Sequence, residues 1–157
     1  MNGPRDLLRS AAEPPAPGDI ATRADVLHLV RAFYREAAVD NVLAPVFAAA
    51  RVDWSAHVPT VTDFWCWQLL GERGYARHTL GAHRGANQLV PFTGVHYARW
   101  LAIWESTVDE HFTGPVAELA KHRARVVARA MRRHLGGDDA SDGQAGNRQP
   151  SSTIPRT

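Results

Sequence analysis

Apolar residues recur every three or four positions through most of the chain, which is the spacing of amphipathic α-helices. A first helix is predicted after Thr22 and Asp25, which have the spacing of a capping box. Its apolar residues share one face, with Tyr34 at the edge of that face: Val26, Leu29, Val30, Phe33 and Ala37. Asp53 predicts the cap of a second helix, on which Trp65 widens a stripe of residues at intervals of four, three and four: His57, Val61, Phe64 and Gln68.

The second half of the chain predicts two further helices, separated by "FTGP". The third starts near Thr93 and carries Val95, Trp100, Ile103, Trp104 and Val108 on its apolar side. The fourth has a predicted buried seam of Ala120, Ala124, Val127, Met131 and Leu135, and a basic side of Lys121, Arg125, Arg129, Arg132 and Arg133. No segment shows the two-residue alternation of a half-buried strand, so the fold class is predicted to be all-α.

Two connections and both chain ends lack this period. "DNVLAPVF" predicts a turn or a short helical corner, and residues 75–92 predict a long loop with at most one helical turn. Residues 1–20 and 137–157 are rich in proline, glycine and polar residues, and we expect both segments to be disordered. The predicted domain therefore spans residues 21–136.

Composition narrows the class of protein. The chain has 157 residues and 45% hydrophobic residues, enough for one domain with a core. Neither a membrane-spanning run nor a secretory signal is recognisable, so we expect a cytoplasmic protein without membrane contact. The single cysteine, Cys66, excludes an internal disulfide and predicts a small apolar packing residue. A net charge of +2 does not by itself suggest nucleic-acid binding.

The candidate chemistry lies in aromatic and histidine residues. Tyr34, His57 and Trp100 lie on predicted helices, and His83 lies in the long loop. Zinc would require three or four close donors, whereas haem requires one axial histidine and a broad apolar slot with polar groups facing the iron. Each residue also has an ordinary structural role, as a solvated histidine, a helix-start histidine or a packed aromatic. Spacing alone leaves that choice open.

Several segments resemble the group III branch of the truncated haemoglobins. They are "AFYREA", "LAPVF", "WSAHVPTVTDFW", "LLGERGY" followed eight residues later by His83, "HYARWL", and the run from "TVDEHFTG" to "AKHRARVVARAM". Together they cover nearly the whole predicted domain. The resemblance implies a two-over-two helical sandwich around a b-type haem.

The resemblance also implies a role for individual residues. His83 corresponds to the proximal iron ligand, Tyr34 to the distal tyrosine, His57 to the distal-helix histidine and Trp100 to the distal-side tryptophan. The positions that would line the haem are Phe33, Phe47, Val61, Phe64, Trp65 and Phe92. Candidate cations for the haem propionates are Arg73, Arg77, His78 and Arg84.

The loop before His83 departs from the family pattern. Arg77 and Thr79 stand where the family tends to have glycine and proline, and His78 is a local competitor for the iron. His83 is the predicted ligand because it matches the family position.

The function expected from this resemblance is binding of O2, NO, CO or peroxide at a pentacoordinate haem iron. NO dioxygenase or peroxidase-like activity would need an external reductase, since the sequence has no flavin or nicotinamide fingerprint. We expect no nucleic-acid partner, and a monomer or weak dimer. The alternative is a haem-free helical interaction domain whose basic fourth helix binds nucleic acid or an acidic partner.

Overall fold

The computed structural model describes residues 17–73 and 92–135. These residues form five α-helices and no strand: α1 (Arg23–Ala37), α2 (Ala44–Ala49), α3 (Trp54–Leu70), α4 (Gly94–His111) and α5 (Pro115–Leu135). The predicted all-α class is confirmed. The expected disorder of residues 1–16 and 137–157, and nearly all of the predicted loop at 75–92, fall outside the described residues.

The four long helices pack as two crossed pairs. Helix α1 contacts both α3 and α4, and α5 contacts both α4 and α3. Two ion pairs tie elements together at the surface, because Arg23 of α1 pairs with Asp63 of α3 and Arg99 of α4 pairs with Asp40 after α1. This arrangement leaves α1, α3 and α4 around one shared apolar face, to which each of them contributes aromatic residues.

Helix α1 begins and packs as the sequence predicts. Thr22 Oγ1 accepts a hydrogen bond from the Asp25 backbone N–H, and the Asp25 carboxylate accepts one from the Thr22 N–H, which completes a capping box. The predicted apolar face is buried: Val26, Leu29, Val30, Phe33 and Ala37. The short corner before α3 is the one-and-a-half-turn helix α2.

Helix α3 is capped at both ends. The Asp53 carboxylate accepts a hydrogen bond from the Ser55 N–H at 3.0 Å, which satisfies one of the free donors of the first turn. Gly71 ends the helix in the left-handed conformation with φ of 68°, where a side chain would be strained. The Asp53 cap was predicted from the sequence.

The core between α3, α4 and α5 is built on two tryptophans. The indole rings of Trp65 and Trp104 stack with centroids 4.3 Å apart, and both side chains are buried. Trp104 Nε1–H donates to the Ala120 carbonyl of α5 at 3.3 Å. The large indoles therefore occupy the space that longer side chains on α5 would otherwise fill.

The predicted seam of α5 is wrong in part for this reason. The buried residues are alanines at helical spacing: Ala117, Ala120, Ala124 and Ala128. Val127 and Met131 are only half-buried, and the side chain of Leu135 is not described. Small residues let the backbone of α5 approach the tryptophans, so the buried stripe is rotated from the one that the larger side chains suggested. The prediction that Val95 lies on the apolar side of α4 is also wrong, since 65% of its surface is exposed.

A segment before α1 is fastened to the start of α5. The Asp19 carboxylate accepts hydrogen bonds from the Val116 and Ala117 N–H groups at 2.9 and 2.8 Å, and the Gly18 carbonyl accepts one from Thr113. Ile20 is buried in the core. Residues 18–20, which the sequence analysis assigned to the N-terminal extension, thus contact the helical body, while the domain boundaries themselves stay a prediction.

Candidate functional site

The polar centre of the candidate site is a hydrogen bond between α1 and α3. The Tyr34 hydroxyl lies 2.8 Å from His57 Nε2. Tyr34 follows Phe33, which is buried in the core, so the backbone of α1 at this point is fixed by packing. His57 lies in the first turn of α3, directly after the Asp53 cap. Two residues that the sequence placed on separate helix faces are therefore in contact.

Burial sets the charge state of this pair. It raises the pKa of the Tyr34 phenol and lowers the pKa of the His57 imidazole. Both groups are consequently neutral at neutral pH. One imidazole nitrogen of a neutral ring carries a proton, so the Tyr34 oxygen either accepts from His57 Nε2–H or donates to a bare Nε2. In the first case the Tyr34 O–H is left to donate to another group.

Two further aromatic rings pack against this pair: Phe47 of α2 and Trp54 at the start of α3. The Tyr34 ring lies 5.3 Å from Trp54 and 6.0 Å from Phe47, and these two rings are 5.3 Å apart. Trp54 also packs edge-on against His57 at 5.8 Å. Trp54 was not predicted from the sequence, although its position three residues before His57 places both on one side of α3.

Trp100 reaches the same face from α4. Its ring lies 5.8 Å from Phe33 and is parallel to Trp104 at 6.0 Å. Phe33 also contacts the Tyr34 ring at 4.8 Å, so Tyr34 and Trp100 both pack against one buried phenylalanine. The three polar candidates therefore come from α1, α3 and α4 and surround a common apolar centre.

The residues predicted to line a cofactor fall into three groups. Phe47, Val61 and Phe64 are half-buried and pack against the core. Phe33 and Trp65 are buried within the core itself, with 1% and 2% of their surface exposed. A third group has the remaining positions: Phe92 is half-buried and packs against Tyr97 at 5.7 Å, whereas Arg77 lies outside the described residues.

The predicted iron ligand also lies outside the described residues. His83, its competitor His78 and the candidate cation Arg84 all fall between residues 73 and 92. Arg73 is described and exposed. The structure therefore describes the distal side of the predicted pocket, and the assignment of His83 stays a prediction.

Two observations bear on whether a large planar cofactor fits here. Four aromatic side chains of α1 to α4 stay half-buried where they pack against the core: Tyr34, Phe47, Phe64 and Trp100. In addition, the Tyr97 hydroxyl is buried with no hydrogen-bond partner among the described residues. Trp100 follows Tyr97 by three residues, which puts both on one side of α4. An apolar slot with unused polar groups suits a haem-sized ligand.

Other metal chemistry has less support in the described residues. Within the described residues, 17–73 and 92–135, no group of three histidine, cysteine, aspartate or glutamate side chains is arranged to hold a metal ion. Cys66 is buried, and burial raises the pKa of its thiol. Of the described helices, none has both the length and the apolar character needed to cross a membrane.

Comparisons with known proteins agree with the fold. No family model matches the chain. The chain is 25% identical over 107 residues to the group 3 truncated haemoglobin of Campylobacter jejuni. The matched region covers 66% of this chain and 82% of that protein.

A solved structure gives the same result. The crystal structure of the group III truncated haemoglobin from Campylobacter jejuni superposes with a TM-score of 0.66 at 25% identity, over 78% of this chain and 99% of that one. The two-pair packing of α1, α3, α4 and α5 is thus the truncated globin fold. Sequence similarity and fold agree, and the chain is similar to the group III truncated haemoglobins.

Proposed function

We propose that the protein binds a b-type haem and uses it to bind O2, NO and related small ligands. The observation that carries the proposal is the Tyr34–His57 hydrogen bond of 2.8 Å, set in a half-buried aromatic face that also presents Trp100. Hydrogen-bond donors at the edge of an apolar slot suit a small ligand that gains negative charge on binding.

The chain's own residues suggest how the haem would be held. Phe47, Val61 and Phe64 supply apolar contacts on the described side, and His83 is the proposed axial ligand of the iron. Arg77 is the proposed partner of a propionate. A covalently attached c-type haem is disfavoured, because its attachment motif needs two cysteines and this chain has one.

The distal residues would determine how long a ligand stays. When bound, haem would supply an iron centre for a diatomic ligand and increase the negative charge on that ligand. Tyr34 O–H and the Trp100 indole N–H are the two donors available to it. His57 would control the first donor, because His57 Nε2–H donating to the Tyr34 oxygen leaves the phenol proton free for the ligand.

Two redox activities suit such a pocket, NO dioxygenation and a peroxidase-like reaction. Both need electrons from a separate reductase, since the sequence has no flavin or nicotinamide fingerprint. Steady-state NO consumption with a defined reductase distinguishes NO dioxygenation from simple ligand binding, and steady-state peroxide consumption does the same for the peroxidase-like reaction.

The haem-free alternative depends on the basic side of α5, which is partly neutralised. Lys121 pairs with Asp109 and Glu118 at 2.7 and 2.8 Å, and Arg125 Nε lies 2.6 Å from Glu105. Ion pairs on the surface of an amphipathic helix explain this charge without a nucleic-acid or protein partner. The aromatic face has no comparable explanation, and it favours the haem protein.

The axial ligand gives the sharpest test. Purified protein should show a Soret band, and His83→Ala should lose most of the haem or give a spectrum that added imidazole restores. His78→Ala is the matched control, five residues away in the same segment, and should leave the band nearly unchanged. Absence of haem from the purified and reconstituted chain would refute the proposed function, and the reverse pattern in the two variants would refute the choice of His83.

A further inference from the structure

We propose a second metal site, formed by His28 of α1 and His111 of α4, that binds Zn²⁺ on the surface of the domain. His28 Nε2 lies 3.4 Å from His111 Nδ1. Six residues separate His28 from Tyr34, which puts the two on different faces of α1. The proposal is therefore independent of the haem site and of the proposed function.

The separation of the two nitrogens suits a tetrahedral ion. Zinc binds imidazole nitrogen at about 2.0–2.1 Å, so two ligands at a tetrahedral angle have nitrogens about 3.3–3.4 Å apart. Ligands at right angles, as in square-planar copper or octahedral sites, would be about 2.9 Å apart for the same bond length. The observed 3.4 Å matches the tetrahedral value.

The two imidazoles form a hydrogen bond with each other, which is the ordinary explanation of this contact. Hydrogen bonds from ring N–H groups usually have donor–acceptor distances of about 2.7–3.2 Å, so this one, at 3.4 Å, is long and weak. The ring planes are nearly perpendicular, with centroids 4.8 Å apart. An ion would therefore replace only a weak bond between the two nitrogens.

The packing beneath the pair holds it in place. Leu29 and Phe112, the residues next to His28 and His111 in the chain, are both buried in the core. Phe112 also packs edge-on against the His28 ring at 6.1 Å. The two histidines are therefore carried by helices with fixed positions, and an ion would have little ordering cost to overcome.

Solvent and charge complete the site. His28 is exposed and His111 is half-buried, so water can supply the remaining ligands of the ion. Asp25 lies one turn before His28 and interacts with it electrostatically, and its Oδ2 accepts hydrogen bonds from the Ala21 and Thr22 N–H groups. Asp25 would attract a cation without binding it. The described segments hold no cluster of three such residues, so the two histidines would be the protein ligands and water would have to supply the other two of a four-coordinate zinc ion.

The test is calorimetric titration of the full-length, tag-free, purified protein with Zn²⁺. His28→Ala and His111→Ala should each weaken the tightest binding by about tenfold or more, and the double variant should be no weaker than either single one. His122→Ala, which removes an exposed histidine of α5, is the matched control and should keep the wild-type affinity. Far-UV circular dichroism checks that every variant keeps its helices.

Two further measurements decide the outcome. Zinc-edge X-ray absorption of the wild-type complex should show two imidazole ligands in a tetrahedral shell. Zn²⁺ should also raise the unfolding temperature of the wild type more than that of either single variant, because the ion joins α1 to α4. If the single variants bind Zn²⁺ as tightly as the wild type, or if His122→Ala weakens binding as much as they do, the proposal is wrong. His28→Gln guards against a packing effect of alanine and must lose affinity as well.

Discussion

The Tyr34 hydroxyl can serve two neighbours, and only one of them is part of the protein. It lies 2.8 Å from His57 Nε2, and the proton it carries goes either to that nitrogen or to a ligand in the pocket. The neutral state that burial imposes on both side chains permits either arrangement. The tautomer of His57 therefore decides whether the Tyr34 O–H can act as the proposed distal donor.

Removing that hydroxyl should speed the release of bound O2. Tyr34→Phe keeps the ring and its contacts with Phe33 and Phe47, so it reports the loss of the hydrogen bond more than a loss of packing. A lost bond worth about 1.4 kcal/mol would speed O2 release about tenfold. Stopped-flow measurement of O2 dissociation from the haem-loaded protein gives the rate.

Two controls accompany this prediction: CO as a less polar ligand, and Trp100 as a second donor. CO gains less charge than O2, so its dissociation should change less in Tyr34→Phe. Trp100→Phe should also speed O2 release, and the double variant should depart from additivity if both donors serve one ligand. O2 release within a factor of two of the wild type in Tyr34→Phe would show that another residue is the main donor.

At the scale of elements, α5 depends on a cap that comes from far away in the sequence. Asp19 lies before α1, yet its carboxylate accepts from two N–H groups in the first turn of α5. Gly114 adopts φ of 135° here, and a Cβ at that position would lie 2.6 Å from Asp19 Cγ. The glycine therefore makes room for the carboxylate, and the N-terminal segment and α5 are stabilised together.

Asp19→Ala should lower the free energy of unfolding by about 1 kcal/mol, within the usual range of about 0.5–2 kcal/mol for a lost N-terminal cap. Burial raises the pKa of Asp19, but three backbone N–H donors together lower it by more, so the pKa in the folded protein is below the ordinary aspartate value of 3.8. The stabilisation is complete above the unfolded pKa and is lost as the pH falls through the folded one.

Denaturant unfolding at pH 7 and at successively lower pH checks this prediction. The difference between wild type and Asp19→Ala should be constant at neutral pH and shrink below about pH 4, near the ordinary aspartate pKa. Glu110→Ala, at an exposed position of α4, is the control and should change stability by less than about 0.5 kcal/mol. A difference that grows on acidification would exclude the cap as its cause.

A helix end could be predicted where the residues that cap it are close in sequence, and a buried face could not where a distant element determines it. The starts of α1, α3 and α4 were predicted because Thr22, Asp53 and Thr93 cap them within three residues of sequence. The buried side of α5 was predicted only in part, because Ala120 and Ala124 are buried as expected whereas Ala117 and Ala128 complete the stripe in place of larger residues. A periodic pattern shows that a helix has two faces, but its neighbours decide which residues are covered.

For the whole molecule, the sequence alone indicated which residue types were unusual but not which of them meet. Tyr34 and His57 are 23 residues apart, and periodicity placed each on an inward face without pairing them. The resemblance to a family supplied their shared role. Trp54 was missed because it is the first residue of α3, ahead of the stripe that begins at His57, and its contact with Tyr34 depends on tertiary structure.

The last prediction concerns the aromatic face and the stability of the whole fold. The Trp65–Trp104 stack holds α3 and α4 together without any cofactor, so the haem-free protein should keep its helices. The half-buried face that includes Phe47 and Phe64 should nonetheless gain stability when haem covers it. Haem at about 1,000 times its dissociation constant adds about 4 kcal/mol, which for a domain of this size raises the unfolding temperature by roughly 10 °C or more.

Thermal unfolding of haem-free and haem-loaded protein, followed by far-UV circular dichroism, measures this difference. Phe47→Ala should reduce the gap between the two forms, because it removes a side chain that packs on Tyr34 and Trp54 at the face. Val39→Ala, at a position 76% exposed after α1, should leave the gap unchanged. Equal unfolding temperatures for the two forms would mean that haem does not cover this face. Loss of the helical signal without haem would mean instead that the tryptophan core cannot hold the fold by itself, and that cofactor binding and folding are one process in this protein.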